Sequence, residues 1–191
     1  MKKNLLISIW FTLATTVLLG IIYPLVVTGI AQVVFPKQAN GELIKSDDKL
    51  VGSHLIGQPF TAPGYFWSRP SAAGSAGYDP TASGGSNLGP TSKALQDRVT
   101  ASVQQLQPTN PNAPIPADLV TTSGSGLDPD ISPASAEFQI PRVAKERGMS
   151  DPDVRAAVAR HTKGRQFGFL GEARVNVLDL NLDLDAAHPM H

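Results

Sequence analysis

The chain has 191 residues and a mass of 20.2 kDa, and its 16 lysines and arginines balance its 16 aspartates and glutamates. Because basic charge is not in excess, the electrostatic footprint of a nucleic-acid-binding protein is absent, and we expect no nucleic-acid partner. The lack of cysteine excludes disulfides, thiolate metal sites and cysteine nucleophiles.

The first 36 residues form one long apolar segment. Its only charged side chains are Lys2 and Lys3, and the uncharged run is longer than the ~20 helical residues that cross a bilayer core. The run also exceeds the roughly 7–15 apolar residues of a secretory signal. We therefore predict a transmembrane anchor helix and stalk over residues 1–36, held in the lipid bilayer. A signal peptide cleaved near Gly29 and Ala31 is the rival interpretation.

The charge pattern also predicts an orientation. Basic residues beside a first span favour the cytoplasmic side, and Lys2 and Lys3 lie at its amino end. We therefore expect a single-pass protein with a cytoplasmic amino terminus and an extracytoplasmic domain over residues 37–191.

Small and polar residues recur at every fourth position of the anchor: Ser8, Thr12, Thr16, Gly20, Pro24, Thr28 and Gln32. Successive members lie on nearly the same helix face. Such a row favours close packing against a partner helix in lipid, and simple tolerance of small residues is the alternative. Pro24 is predicted to kink the helix because it leaves the Gly20 carbonyl without its hydrogen bond.

Beyond residue 37 the pattern predicts an α+β domain of short elements without a regular βαβ repeat. The expected elements are a strand within 50–58, a helix from Pro90 to Leu106, a strand at 119–121, helices over 132–147 and 150–163, and a strand over 173–182 with a bulge after Val177. The apolar stripe of the helix from Pro90 to Leu106 is Leu95, Val99, Val103 and Leu106. Pro141 is expected to kink the helix over 132–147.

Residues 61–92 have the Gly, Ser and Pro content of a flexible linker. Five of the eight aromatic residues beyond Lys37 nevertheless lie in or beside this segment: Phe60, Tyr65, Phe66, Trp67 and Tyr78. A solvated linker has little use for aromatic side chains, so we predict an ordered loop that packs or binds.

Sequence motifs for catalysis or metal binding are missing. The chain has no Walker loop, no Asp-Lys-Thr-Gly and no G-x-S-x-G elbow, and the histidines at 54, 161, 188 and 191 lack ligand spacing. Asn181, Asp183 and Asp185 are interpreted as the solvent face of a strand rather than a calcium site. We predict no catalytic residue and no metal; a Ser125, Asp128 and His161 triad, and with it an anchored hydrolase, is an alternative.

The candidate partner or ligand contacts are then polar and aromatic residues in ordered-looking turns. They are Gln58, Tyr65, Arg69, Asp79, Ser83, Asn87, Asp128, Gln139, Arg142 and Asn176. Each also has a structural interpretation, because Asp-Pro pairs build Asx turns and an arginine beside aromatic residues stacks on a ring.

Several strings of the chain are distinctive, and they lie at 52–58 (GSHLIGQ), 65–72 (YFWSRPSA), 78–92 (YDPTASGGSNLGPTS), 123–129 (SGSGLDP), 131–133 (ISP), 139–144 (QIPRVA) and 175–181 (VNVLDLN). Together they resemble the KdpC subunit family of the bacterial potassium-transporting Kdp P-type ATPase. The resemblance extends, in order, over nearly the whole chain.

The resemblance implies an accessory subunit, without catalysis of its own, of a high-affinity ATP-driven potassium uptake complex in the inner membrane, with residues 37–191 in the periplasm. The implied partners are a channel-like potassium-translocating subunit, a P-type ATPase subunit and a small stabilising subunit. It also implies a role in assembly and as a catalytic chaperone that raises the ATP affinity of the ATPase subunit.

In this family the segment Leu55–Gln58 is likened to the glutamine-bearing signature of ABC transporters, with the glutamine on ATP. The predicted orientation places Gln58 across the membrane from cytoplasmic ATP. We therefore expect no intrinsic cofactor, potassium as the transported ion, and ATP acting through the partner subunit by reciprocal linkage. An anchored envelope-binding module with a carbohydrate- or peptide-binding aromatic loop is the alternative from another class.

Overall fold

The computed structural model describes residues 2–46 and 49–190, so His191 of the four histidines lies outside it. The chain divides into two compact units, Met1–Val51 and Gly52–His191.

The first unit is dominated by one helical stretch. Helix α1 (Lys2–Val17), a π-helical turn (Leu18–Ile22) and α2 (Tyr23–Val34) together form one helical stretch of 33 residues. An 18-residue window within it has a mean hydropathy of 2.3 and no buried residue. By length and composition this is the one helix of the described residues that can cross a membrane. After it come a short α3 (Pro36–Ala39) and the strands β1 (Leu43–Ser46) and β2 (Lys49–Ser53), which pair in a two-stranded sheet.

The π-helical turn lies where the sequence predicts an irregularity. Pro24 is the second residue of α2 and has no N–H to bond back to Gly20. The N–H of Tyr23 instead bonds to the carbonyl of Leu18, five residues earlier. A proline therefore coincides with a wider turn, which is one of the usual ways in which a helix absorbs a missing hydrogen bond.

The second unit is a small α/β domain. Its helices are α4 (Lys93–Leu106), α5 (Pro133–Arg147), α6 (Asp151–His161) and α7 (Val177–Ala187), with short 3₁₀ turns at Pro80–Ala82, Gln107–Thr109 and Ala117–Leu119. Its strands are β3 (Asp130–Ile131), β4 (Thr162–Lys163) and β5 (Arg174–Asn176). Strand β5 lies in the middle and pairs antiparallel with both others.

The core of this unit lies between α5, α6, α7 and β5. Its fully buried members include Ile140, Val143, Val154, Leu180 and Leu184. Phe66, which belongs to no helix or strand, completes the same cluster with no exposed surface. The Gly- and Ser-rich loop is therefore ordered and contributes to the core, as its aromatic residues predicted.

Three helix boundaries of this unit follow from local chemistry and are confirmed. Ser132 caps α5 by accepting from the N–H of Ser135 at 3.0 Å, and Ser150 caps α6 through the N–H of Asp153 at 3.3 Å. A side-chain oxygen at this position satisfies an N–H that the first turn leaves free. Gly148 ends α5 with φ of 64°, a conformation that glycine adopts without strain.

The predicted strand over 173–182 is wrong beyond Asn176. The side chain of Asn176 accepts from the N–H of Asp179 at 3.1 Å and so begins helix α7. The phase change after Val177 therefore marks a switch from strand to helix and not a bulge. An alternating pattern fits both structures here, because Val177, Leu180 and Leu184 also lie on one helical face and are buried.

Smaller corrections concern other boundaries. Residues 119–121 form no strand, since the 3₁₀ turn Ala117–Leu119 ends there. Strand β2 stops at Ser53, α4 begins at Lys93 rather than at Pro90, and α6 ends at His161 because Thr162 and Lys163 pair with β5. The predicted stripe of α4 is correct: Leu106 is buried, and Leu95, Val99 and Val103 are half-buried.

Candidate functional site

The aromatic-rich loop at residues 63–67 is hydrogen-bonded to side chains and not to a neighbouring strand. Every carbonyl from Pro63 to Trp67 accepts a hydrogen bond from a side chain of α5 or α7. The donors are Arg142 to Pro63 and Tyr65 (2.9 Å for Tyr65), Arg147 to Gly64 (2.6 Å), Asn181 to Phe66 (3.0 Å) and Gln139 to Trp67 (3.1 Å). We call residues 63–67 the braced segment.

Two buried amides act as substitutes for a β-ladder. Gln139 accepts from the N–H of Trp67 at 2.8 Å while donating to the carbonyl of the same residue. Asn181 does the same for Phe66, with its oxygen 2.8 Å from the N–H. An amide side chain places an N–H donor beside a carbonyl acceptor, as a peptide group does, so it can pair with both the N–H and the carbonyl of one extended residue. Both side chains are at most 1% exposed.

Arg142 joins this network as a buried cation. Its guanidinium lies 3.7 Å from the centroid of the Trp67 ring and donates to Gln139 at 2.7 Å. Burial lowers the pKa of Arg142 to about 10, and Glu146 opposes this shift. The group therefore stays protonated at neutral pH and is stabilised by the ring face and by backbone carbonyls.

Tyr65 is fixed by Arg147 and Asp185. Its hydroxyl donates to Asp185 at 3.1 Å, and the Arg147 guanidinium lies 4.9 Å from the ring centroid and 2.8 Å from the same carboxylate. Burial and the Asp185 carboxylate raise the pKa of Tyr65, so the hydroxyl keeps its proton. The four-residue spacing of Asn181 and Asp185 would place both side chains on one face of a helix. The strand predicted for these residues gave no indication that they contact the loop together.

A second cluster joins the rest of the loop to the turn at 123–128. Arg69 contacts the carboxylate of Asp128 at 2.9 Å, and the Tyr78 hydroxyl donates to the Arg69 carbonyl. Burial raises the pKa of Tyr78. Ser83 donates to the carbonyl of Ser125 at 3.0 Å. The predicted residues Arg69 and Ser83 thus both contact the turn that carries the predicted residue Asp128.

The segment Leu55–Gln58 is attached to the same turn. The N–H of Gly57 donates to the Leu127 carbonyl at 2.8 Å, and a Cβ at Gly57 would lie 2.5 Å from the carbonyl oxygen of Asp128. Only glycine fits this approach. Gln58 is half-buried, with its side-chain oxygen against the Gly52 backbone.

The remaining predicted residues lie apart from these clusters. Asp79 caps the 3₁₀ turn Pro80–Ala82, and the hydrogen bonds from Thr81 lower the pKa of its carboxyl. Asn176 caps α7 and donates to the carbonyl of His54 at 3.1 Å. Asn87 is exposed with φ of 50°.

The interpretation of Asn181, Asp183 and Asp185 as a strand face is wrong, since all three lie on α7. Asp183 contacts Arg160 at 2.8 Å and His161 at 3.2 Å. His161 thus contacts Asp183, and Asp128 contacts Arg69, so the acid and the histidine of the alternative triad each have a different partner. Within residues 2–46 and 49–190, no group of three or more His, Asp or Glu side chains could hold a metal ion.

The described residues therefore combine one helix that is long and apolar enough to cross a membrane with a small α/β domain whose loop at residues 63–67 is held by its own side chains. The family model described as "K+-transporting ATPase, c chain" (KdpC) matches residues 5–186. A potassium-transporting ATPase KdpC subunit of Koribacter versatilis is 61% identical over all of this chain and 98% of its own length. KdpC subunits of Rhodopseudomonas palustris and Methylococcus capsulatus are 54% and 55% identical over 98% and 97% of this chain, and over 100% and 96% of their own lengths.

The chain belongs to the KdpC family. It is a subunit of the multi-subunit potassium-transporting ATPase complex and is not itself catalytic.

The bracing amide of Gln139 generates a stability prediction. Gln139→Leu removes the partners of the Trp67 N–H and carbonyl and leaves buried polar groups unpaired. We expect the free energy of unfolding to fall by about 3 kcal/mol, at the usual cost of ~1–3 kcal/mol for each such group. Chemical denaturation of the full chain in detergent, followed by Trp67 fluorescence in a Trp10→Phe background, measures this change.

Gln104→Leu is the matched control, because Gln104 is exposed on α4. Equal stability of the two variants would show that the amide does not support the loop.

Proposed function

We propose that the chain is the accessory subunit that assembles and stabilises the potassium uptake complex. Residues 1–36 cross the inner membrane once with a cytoplasmic amino terminus, and residues 37–191 lie in the periplasm. The proposed partners are the channel-like potassium-translocating subunit, the P-type ATPase subunit and the small stabilising subunit. The observation that carries the proposal is the family match over residues 5–186, which includes all but the first three residues of the unburied helix Lys2–Val34.

The anchor supports assembly through its row of small and polar residues: Ser8, Thr12, Thr16, Gly20, Pro24 and Thr28. In lipid, apolar side chains gain nothing by leaving the acyl chains, so helices associate through close backbone approach and side-chain fit. Gly20 lies within the π-helical turn, where a Cβ would meet only the Thr16 methyl at 3.9 Å. The helix itself therefore has room at Gly20, and a partner helix is the element that would lose by substitution there.

The proposed effect on ATP affinity is reciprocal linkage. If this subunit binds one conformation of the complex more tightly, it raises the affinity of that conformation for ATP without touching the nucleotide. The braced segment supports this linkage. A rigid surface binds two conformations of a partner with different affinities, because it cannot adapt to both. The envelope-binding alternative gains no support from the loop, since Phe66 is fully buried and Tyr65 and Trp67 have partners within the domain.

Topology gives the first test of this proposal. Lys2 and Lys3 favour the cytoplasmic side, so a reporter active only in the cytoplasm should stay silent when fused after His191 and should be active when fused before Met1. Strong activity of the carboxyl-terminal fusion would reverse the orientation and remove the objection to direct ATP contact.

Nucleotide binding gives the second test. We expect Gln58→Ala, assembled into the whole complex, to leave the KM for ATP of potassium-stimulated hydrolysis unchanged, whereas a complex stripped of this subunit has a raised KM. Gln104→Ala, an exposed glutamine changed in the same way, is the control. A raised KM in Gln58→Ala alone would favour direct contact.

The packing row gives the third test. Gly20→Leu should insert normally but lower recovery of the potassium subunits in co-purification about tenfold, the effect of losing ~1.4 kcal/mol of packing. Leu19→Ile, one position off the row, should assemble normally. Equal assembly of the two variants, and equal growth at limiting potassium, would show that the row is only tolerated in lipid.

A further inference from the structure

The second unit carries a protruding hairpin that nothing in the proposed roles has used. Residues 165–172 form a tight reversal closed by a bridge between Gln166 and Leu170 and by an ion pair between Arg165 and Glu172 at 2.8 Å. We call these residues the aromatic finger, because Phe167 and Phe169 are 80% and 69% exposed at its tip.

The finger stands clear of the domain that carries it. A Cβ added at Gly164, Gly168 or Gly171 would meet no other atom within 4 Å. Leu170 adds a third apolar side chain that is 47% exposed. Three large apolar side chains in contact with water at one tip are the composition of a binding anchor, whereas single exposed hydrophobic residues need no explanation.

The backbone of the finger is also held in an unfavourable conformation. Phe167 has φ of 54°, in the left-handed region that bulky residues rarely adopt. The strain is not offset by burial of the Phe167 ring, which is the most exposed of the three. Strain that local packing does not compensate is concentrated at functional positions of proteins.

The charges around the finger argue against a lipid surface as its partner. Four basic side chains lie within 160–174, and three of them are already paired: Arg160 with Asp183, Arg165 with Glu172 and Arg174 with Asp130. The fourth, Lys163, interacts with Asp130. We call these four basic side chains and their acidic partners the collar, which is nearly neutral. An interfacial membrane anchor instead combines apolar residues with free basic charge.

The patch is too small to be a whole interface. A stable protein interface buries about 800 Å² on each partner, whereas each of these side chains offers at most roughly 150–250 Å². The three side chains are therefore suited to be the central anchor of a contact that other parts of the chain complete.

We infer that the aromatic finger docks into an apolar pocket on the extramembrane surface of another subunit of the potassium-transporting complex. The rim of this pocket is uncharged or carries equal numbers of positive and negative side chains. This inference rests on the assembly role proposed above. The paired collar provides the polar rim that excludes water around buried anchors, and the tip provides the rings that fill the pocket. Burial of the rings in the partner compensates for the strained backbone at Phe167.

A photoreactive benzoyl-phenylalanine at position 167 tests the partner directly in the full complex in its native membrane. We expect a light-dependent adduct with one other protein subunit, and none when the same group replaces Leu88, which is 37% exposed elsewhere on the unit. An adduct with lipid only, an adduct with a second copy of this chain, or no adduct would each overturn the inference.

The double variant Phe167→Ser, Phe169→Ser tests the energetics. Both side chains are exposed, so its thermal unfolding in detergent should match that of the unchanged chain. Recovery of the partner subunits should fall about tenfold or more, as for loss of a binding anchor. Leu88→Ser is the control and should assemble normally.

Normal assembly of the double variant would overturn the docking role of the finger and leave the assembly proposal intact. Failure of the unchanged chain to co-purify with any potassium subunit would instead contradict the assembly proposal itself.

Discussion

The structure of the domain depends on the bracing of residues 63–67 by side chains of α5 and α7. A buried backbone must find partners for its carbonyls, and this segment has no neighbouring strand to provide them. Gln139 and Asn181 provide peptide-like pairs, and Arg142 and Arg147 add charged donors. Because these bonds place Phe66 in the core between the helices, loop and helices order each other.

The polar side chains of the loop and the exposed apolar surfaces have different roles in this protein. Many of the polar groups that catalysis or ligand binding would need are engaged inside the domain, Arg142 on the Trp67 ring and Arg69 on Asp128 among them. Two features that the described residues leave exposed are apolar: the unburied helix Lys2–Val34 and the tip of the aromatic finger. Such a chain is suited to binding other proteins with fixed geometry, in agreement with its family as a subunit without catalysis of its own.

Rigidity of this kind gives the proposed linkage to ATP a physical basis. A subunit shifts a conformational equilibrium only by the difference between its affinities for the two states. A flexible loop would adapt to both states and discriminate poorly, whereas a loop with every carbonyl of residues 63–67 bonded resists adaptation. The close approach of Gly57 to the Asp128 carbonyl extends the same rigidity to the segment that contains Gln58.

The sequence by itself determined the features that depend on neighbouring residues: the long apolar helix, the caps at Ser132 and Ser150, the stop at Gly148, and the order of an aromatic-rich loop. The tertiary structure alone decided that residues 177–187 are helical and that Gln139 and Arg142 act inside the domain. Caps and apolar runs are set within a few positions. The pairs of Trp67 with Gln139 and Tyr65 with Asp185 span 72 and 120 residues, and only the packed core brings them together.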